Sequence, residues 1–372
     1  MTNNIITNYK KLSCFILIFI FSVWGFCHQR VQKEPKAYEE LSSIGFYPES
    51  PDQGPLTAII NIKKSTGYSG TLCQAGSTEY IRFFVDWNSD GDFNDPGESV
   101  GLATVNVHDI PRNSDRVREN RENKPLSYAV SILLKPKNKT FCQQPFLVKA
   151  RAILSWNQAP LPNDPDYTPV YGHVIDQWIQ IKPRWKWWSF TEPLINIPLK
   201  PTDFLSESEF MKLFKSNGEQ SRDESLPVNQ SNTAYEQLNG VGWDDHQETL
   251  TATITIKKPY GFSGDLCQPG SNENVAFWVQ TKGSNGAQWK YLGTASVNIH
   301  DIPGLPASGL HYSVHLPVDL SAYRSSCVKP GLLNIRAILS WIRTPTPNVP
   351  NFAPVWGNAF DAVIQLKPKK HQ

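Results

Sequence analysis

Residues 250–271 read LTATITIKKPYGFSGDLCQPGS, and residues 56–77 read LTAIINIKKSTGYSGTLCQAGS. In the later stretch Leu250, Ala252, Ile254 and Ile256 alternate with Thr251, Thr253 and Thr255. A period of two is the mark of a half-buried β-strand. The Gly, Ser, Asp and Pro residues that follow end the run in turns. One segment is written twice, so whatever fold holds one copy also holds the other.

The duplication extends through the chain. AYEELSSIG (37–45) returns as AYEQLNGVG (234–242), and VNVHDIP (105–111) as VNIHDIP (297–303). RAILSW recurs at 151 and 336, TPVYG (168–172) as APVWG (353–357), and IQIKP (179–183) as IQLKP (364–368). The order is the same in both halves, which makes this a duplicated domain. The copies span 36–183 and 233–370, each of ordinary domain size.

Both copies read as all-β. YIRFFVDW, ATVNVHD, LSYAVSILL, FLVKARAILSW and VIDQWIQIK are further β-branched and aromatic runs, divided by Gly, Pro, Asn and Asp. Six or seven such runs per copy predict two tandem β-sandwiches, immunoglobulin-like or jelly-roll-like, with a small barrel as the alternative. The AYEEL segment can add one helical turn before the first strand. A short, partly helical linker, 184–232, separates the copies. Within it Ser206 and Glu209 form a capping box before Phe210, Met211, Leu213 and Phe214.

Ahead of the first copy, Lys10 and Lys11 precede an uncharged apolar run that ends at Cys27. A charged segment followed by an apolar one has the form of an export signal. Residues 1–27 are read as a signal peptide, a lipoprotein signal with Cys27 as the lipidated residue, or an uncleaved anchor. Four other cysteines sit two per copy at matching places. The simplest pairing is one disulfide per domain, Cys73–Cys142 and Cys267–Cys327, the alternative being buried free thiols. Disulfides call for an oxidising compartment, in agreement with export.

The densest acidic stretch is DWNSDGDFNDPGES, residues 86–99. Its carboxylates repel one another unless a cation lies among them, and calcium takes six to eight oxygen ligands. Asp86, Asn88, Asp90, Gly91 and Asp92 match the opening of a helical calcium hand, but Glu98 falls one place late and a strand precedes the loop. The segment resembles the D-x-N-x-DGDF-x-D-x-GE stretch of the GEVED domain of secreted bacterial proteins. That resemblance implies one calcium site in the first repeat, held by Asp86, Asn88, Asp90, Asp92 through its backbone carbonyl, and Asp95 or Glu98. The other reading is a solvated acidic turn. The second copy has VQTKGSNGAQWKYLG (279–293) here, with Gln280 and Lys282 in place of Asp86 and Asn88. No ion is expected there.

Two other repeated features can carry function. The Pro-rich loops 156–172 and 341–357 space aromatic residues along a stiff backbone. Trp156, Tyr167 and Tyr171, with Trp341, Phe352 and Trp356, can form a platform for a sugar or peptide, or can pack each loop onto its own sandwich. The pairs His108–Asp109 and His300–Asp301 suit metal ligation, acid–base chemistry or local turn hydrogen bonds. RWKWWSF (184–190) can glue the linker to the first domain, meet a partner or lie at a membrane interface. A net charge of +2 with no basic stripe argues against nucleic acid. Phosphate loops, nucleophile elbows and zinc-hydrolase helices are absent from the sequence.

Through its CQ-GS, VN-HDIP, RAILSW and PVWG segments, the chain as a whole resembles tandem-repeat exported bacterial proteins of uncharacterised function. The expectation is a non-enzymatic secreted or cell-surface module that binds a glycan or a surface protein. The alternative is a hydrolase that uses the repeated His–Asp pairs.

Overall fold

The computed structural model describes residues 36–110, 125–137, 140–184, 232–283, 286–328, 331–341 and 343–368. The proposed signal at 1–27 with Cys27, the helix at 206–214 and the tryptophans of 185–190 lie outside them.

The described residues are all-β, as the alternation predicts, and each repeat supplies seven strands in the same order. The first has β1 (Glu39–Phe46), β2 (Gly54–Ile62), β3 (Ser77–Asp86), β4 (Ser99–Val107), β5 (Leu126–Leu134), β6 (Phe146–Trp156) and β7 (Gly172–Ile181). The second has β8 (Glu236–Asp244), β9 (Thr249–Ile256), β10 (Ser271–Gly283), β11 (Gly286–Ile299), β12 (Leu310–Pro317), β13 (Gly331–Trp341) and β14 (Ala359–Leu366). The AYEEL segment, read as able to form a helical turn, instead leads straight into β1. Its Glu39 and Leu41 point into the core while Glu40 points outward, which is strand spacing.

Within each repeat a three-stranded antiparallel sheet (β1, β2, β5; or β8, β9, β12) covers a four-stranded one (β4-β3-β6-β7; or β11-β10-β13-β14). Ile44, Leu56, Ile60, Phe83, Val85, Val148 and Leu154 fill the first core. Leu250, Ala252, Ile254, Val275, Phe277 and Ile335 fill the second.

The two repeats are joined edge to edge. β1 pairs in parallel with β12 at Phe46 and Tyr312, and β5 pairs in parallel with β8 at Tyr128 and Trp243. The strands β5-β2-β1-β12-β9-β8 therefore close on themselves, three from each repeat. These two junctions use equivalent strands with the repeats exchanged, as a pseudo-twofold axis requires, and a third parallel pairing joins β14 to β5 at Val363 and Leu126. Glycine permits each close approach. A Cβ at Gly45 would lie 2.5 Å from the Tyr312 carbonyl oxygen, and one at Gly242 would lie 2.5 Å from the Tyr128 carbonyl carbon.

This closure buries a second face. Every residue of β9 is buried, threonines included. The alternation that reads as half-buried marks a strand covered on both sides, because the other repeat covers the threonine face. Ser43 and Thr253 hydroxyls meet across the join at 2.5 Å. Thr255 bonds the His311 ring at 2.9 Å, and Thr251 bonds His315 at 3.2 Å. Hydroxyls hydrogen-bond locally and remain satisfied without water.

The cysteines correct the expected pairing. Neither Cys73–Cys142 nor Cys267–Cys327 forms. The bonds are Cys73–Cys327 and Cys142–Cys267, both crossing between repeats. Equivalent cysteines still take equivalent partners, but each partner belongs to the other copy.

Candidate functional site

β3 ends at Asp86, and residues 87–98 leave the sheet before β4 begins. In the second repeat the equivalent strands run on instead. Gln280 faces Trp289, Lys282 faces Ala287 and Gly283 faces Gly286. The acidic loop thus stands where the second repeat continues its hairpin strands, on a shared frame.

Two carboxylates form the base of the loop, and both are 2% exposed, Asp86 and Glu98. Glu98 accepts from the amides of Trp87 (2.9 Å) and Asp95 (3.2 Å). Burial raises its pKa, these two bonds oppose the rise, and Asp86 and Asp95 add to it. Asp86 accepts from the Gly91 amide through Oδ2 at 3.1 Å, while its buried Oδ1 has no hydrogen-bond partner. Above them Asp90 accepts from the Asp92 amide at 3.1 Å and Asp92 from the Asn94 amide at 2.9 Å. The Asn88 side-chain amide lies between two carboxylates, 2.8 Å from Asp90 and 2.5 Å from Asp95. None of the five acidic residues forms an ion pair among the described residues. Nor do three acidic, His or Cys side chains converge among them in an arrangement able to hold a metal ion.

The Pro-rich loop is held beside the acidic loop by Arg151, which sequence reading did not single out. Arg151 on β6 grips Asp176 on β7 with two hydrogen bonds, 2.7 and 2.9 Å long. It also reaches the Pro165 carbonyl and the Asp166 carboxylate, and lies 4.4 Å from the Phe93 ring of the acidic loop. Arg336 repeats the arrangement with Asp361, the Pro350 carbonyl, Asn351 and the Trp289 ring at 4.6 Å. The signal was present in the sequence as the Arg of RAILSW and an Asp in each following strand.

Between the two loops of the first repeat lies a cleft of about 530 Å³, lined by Arg82, residues 93–97 and 99–101, Pro162 and Asn163. Arg82 forms part of its lining on β3. Its Nε donates to the Pro160 carbonyl at 3.1 Å, and burial lowers its pKa.

The six aromatic residues do not form one surface. Trp156 meets Tyr171 edge-on at 5.6 Å, and Tyr171 meets Tyr38 at 5.5 Å. Tyr167 packs elsewhere, against Phe84, Phe93 and Ile153. In the second repeat Trp356 stands on Tyr235 at 4.9 Å, while Phe352 joins Trp278 and Trp289. Trp341 donates to Ser271 at 3.1 Å. All six are half-buried.

In each His–Asp pair the two side chains hold different loops. Asp109 accepts from the amides of Tyr68 (2.8 Å) and Gly70 (3.3 Å), and His108 meets the Gln74 carbonyl at 3.1 Å. Asp301 and His300 do the same with Phe262, Gly264 and Gln268. Burial lowers the pKa of both imidazoles.

A second set of acids escaped the sequence reading. Glu39 and Glu79 are buried in the first sandwich, and Glu236 and Glu273 at the matching places in the second. Burial pushes Glu39 up to about 7. Burial, with Glu39 close by, pushes Glu79 up to about 9. Glu236 rises to about 7, and Glu273 well above the usual carboxylate range. The glutamates of AYEE, STEY, AYEQ and SNEN carry the signal, hidden because a lone strand Glu usually faces solvent.

No protein-family model matches the chain, and no curated protein matches it. Among solved structures it is similar to the BSP domain of a biofilm associated protein, at 10% identity and a TM-score of 0.19 over 89% of this chain and 52% of that one. A DUF4785 family protein from Legionella pneumophila matches at 8% identity and a TM-score of 0.22, over 88% of this chain and 56% of that one. A serine-rich repeat adhesion glycoprotein from Streptococcus agalactiae matches at 8% identity and a TM-score of 0.15, over 86% and 94%. The chain spans about half the length of the first two. TM-scores this low do not assign it to the fold of any of the three.

Proposed function

We propose that the chain is an exported, non-enzymatic binding module, released or held at the cell surface by a lipid on Cys27. The pair of disulfides between the repeats carries this reading, since such bonds persist in an oxidising compartment. Its ligand is a glycan or a surface protein. The Pro-rich loops are the proposed contact surfaces, with Trp156, Tyr167 and Tyr171 in one repeat and Trp341, Phe352 and Trp356 in the other.

The acidic loop takes one calcium ion in this proposal. Two observations favour it: five carboxylates without an ion pair, and the buried Oδ1 of Asp86 without a donor. Asp86, Asn88, Asp90, Asp92, Asp95 and Glu98 would hold the ion. It would replace the Asn88 amide as the positive group between Asp90 and Asp95, and its role is to stiffen the loop.

The hydrolase alternative is disfavoured by a positive contact. Each Asp carboxylate of the His–Asp pairs is already engaged by two backbone amides. Retention of the full chain on immobilised polysaccharides and on a glycan array tests the module. Trp156→Ala and Trp341→Ala should weaken retention. Unchanged retention removes those loops as the contact surface, and a hydrolytic activity lost in His108→Ala would replace the whole reading.

A further inference from the structure

The cleft beside the acidic loop holds a cation that the protein does not neutralise. Arg82 makes no ion pair among the described residues, and its hydrogen bond to the Pro160 carbonyl is donated by Nε. Its side chain forms part of the wall of an open space of about 530 Å³. That volume lies within the roughly 300–1,000 Å³ usual for small-ligand sites. A partly desolvated guanidinium favours a planar oxyanion, which it can grip with two parallel hydrogen bonds.

The rest of the lining has a different chemistry. Asn94, Asn163 and Ser99 offer both donors and acceptors, as vicinal hydroxyls require. Pro96, Pro162, Val100 and Gly101 offer apolar surface to the C–H face of a ring. Asp95 is the one carboxylate in the lining, and its Oδ2 is turned to the Asn88 amide.

The second repeat lacks this site on the same frame. Ala276 stands in the place of Arg82, and Tyr291, opposite Trp278 in the ladder, stands in the place of Ser99 opposite Phe84. Trp278, Tyr291 and Phe352 pack together over Ala276. The Trp278 indole holds its Pro-rich loop through the Pro347 carbonyl at 2.9 Å, as Arg82 holds the other loop through Pro160. The fold can therefore hold this end of the loop without an arginine at the Arg82 position.

We propose that the first-repeat cleft is a subsite for an acidic saccharide, with the Arg82 guanidinium taking the carboxylate or sulfate of one sugar residue and Asn94, Asn163 and Ser99 taking its hydroxyls. The proposal rests on the binding-module reading and narrows it to one ligand class and one of the two repeats. The test is calorimetric titration of the full chain with an oligogalacturonate, a sulfated oligosaccharide, a neutral oligosaccharide of equal length, and inorganic sulfate.

At least one acidic oligosaccharide should bind about tenfold or more tightly than the neutral one, the scale of one charge-assisted contact. Arg82→Gln should remove that preference. Ser99→Tyr, which copies Tyr291, should abolish binding while leaving Arg82 in place, with both variants checked by thermal melting. Equal affinity for acidic and neutral sugars overturns the proposal, as does a folded Arg82→Gln that keeps the preference. Inorganic sulfate competing as strongly as the sugar acid reduces the site to an anion site and also overturns it. If the wild-type chain is retained on a polysaccharide and Arg82→Gln is retained equally, the cleft assignment fails while the module reading stands.

Discussion

Tyr128 of the first repeat donates to Gln365 of the second at 2.7 Å, and Tyr312 of the second reaches Gln180 of the first at 3.4 Å. The same hydrogen bond is thus made twice across the pseudo-twofold axis, from buried groups on each side. Tyr312 has no exposed surface to speak of, and burial raises its phenol above the usual range. Together with the crossed disulfides, these bonds make the two repeats one interlocked unit.

Peptide mapping of the oxidised protein should recover Cys73 linked to Cys327 and Cys142 linked to Cys267. Recovery of Cys73 with Cys142 would overturn the interlocked arrangement. Loss of either bond, as in Cys73→Ser, should cost roughly 4–5 kcal/mol on the chain-entropy account for loops above 100 residues. Chemical denaturation of the oxidised chain measures it.

The buried glutamates give the protein an unusual pH dependence. Glu39 and Glu79 sit at about 7 and about 9, against an ordinary 4.5 in the unfolded chain. Folded protein keeps protons that the unfolded chain releases. The stabilisation is full below about pH 4.5 and is lost as pH rises through 7 and 9. His311 and His315, pushed down to about 4 by burial, act in the opposite sense and withdraw stability as pH falls from 6.5 towards 4. The melting temperature should therefore fall between pH 7 and 9, less steeply in Glu79→Gln. Identical slopes for variant and wild type would remove the assignment.

The β1–β12 and β5–β8 junctions depend on glycine. Gly242→Val places side-chain atoms against the Tyr128 backbone and should destabilise by about 3 kcal/mol, as overpacking does. Gly45→Val should match it at the other junction. A loss under half of that in both, read from urea melts, would mean the strands separate there without cost.

Calcium is best tested on the full chain, since the repeats complete one another's barrel. A hundredfold excess over Kd should raise stability by about 2.7 kcal/mol relative to chelator. Asp86→Asn and Asp90→Asn should each remove the response. A chain that melts alike in calcium and chelator leaves the loop as a turn closed by Asn88 and backbone amides.

Much of the fold was legible because duplication and alternation are local. β9 shows where that stops. Thr251, Thr253 and Thr255 look like a solvent face, because a hydroxyl suits either water or a buried hydrogen bond, and only the partner repeat decides. The cysteines failed for the same reason. Matching positions are equally consistent with pairing within a copy and pairing across a twofold axis, and sequence separation does not distinguish them. At the candidate site the acidic loop announced itself by composition. Arg151 and Arg82 did not, since their meaning comes from Phe93, Asp176 and the Pro-rich loop, brought beside them by strand pairing.

The crossed disulfides also determine how the module responds to pulling. Tension applied at residues 36 and 368 enters through β1 and β2, reaches Cys73, passes through the sulfur bridge to Cys327 and leaves through β13 and β14. The stretch between those cysteines, 254 positions in sequence separation, hangs outside the loaded path. The acidic loop, the cleft and the second disulfide all belong to that stretch. A tether stretched by flow would load the two ends, the second repeat's Pro-rich loop among them, while the acidic loop and the first-repeat cleft stay slack.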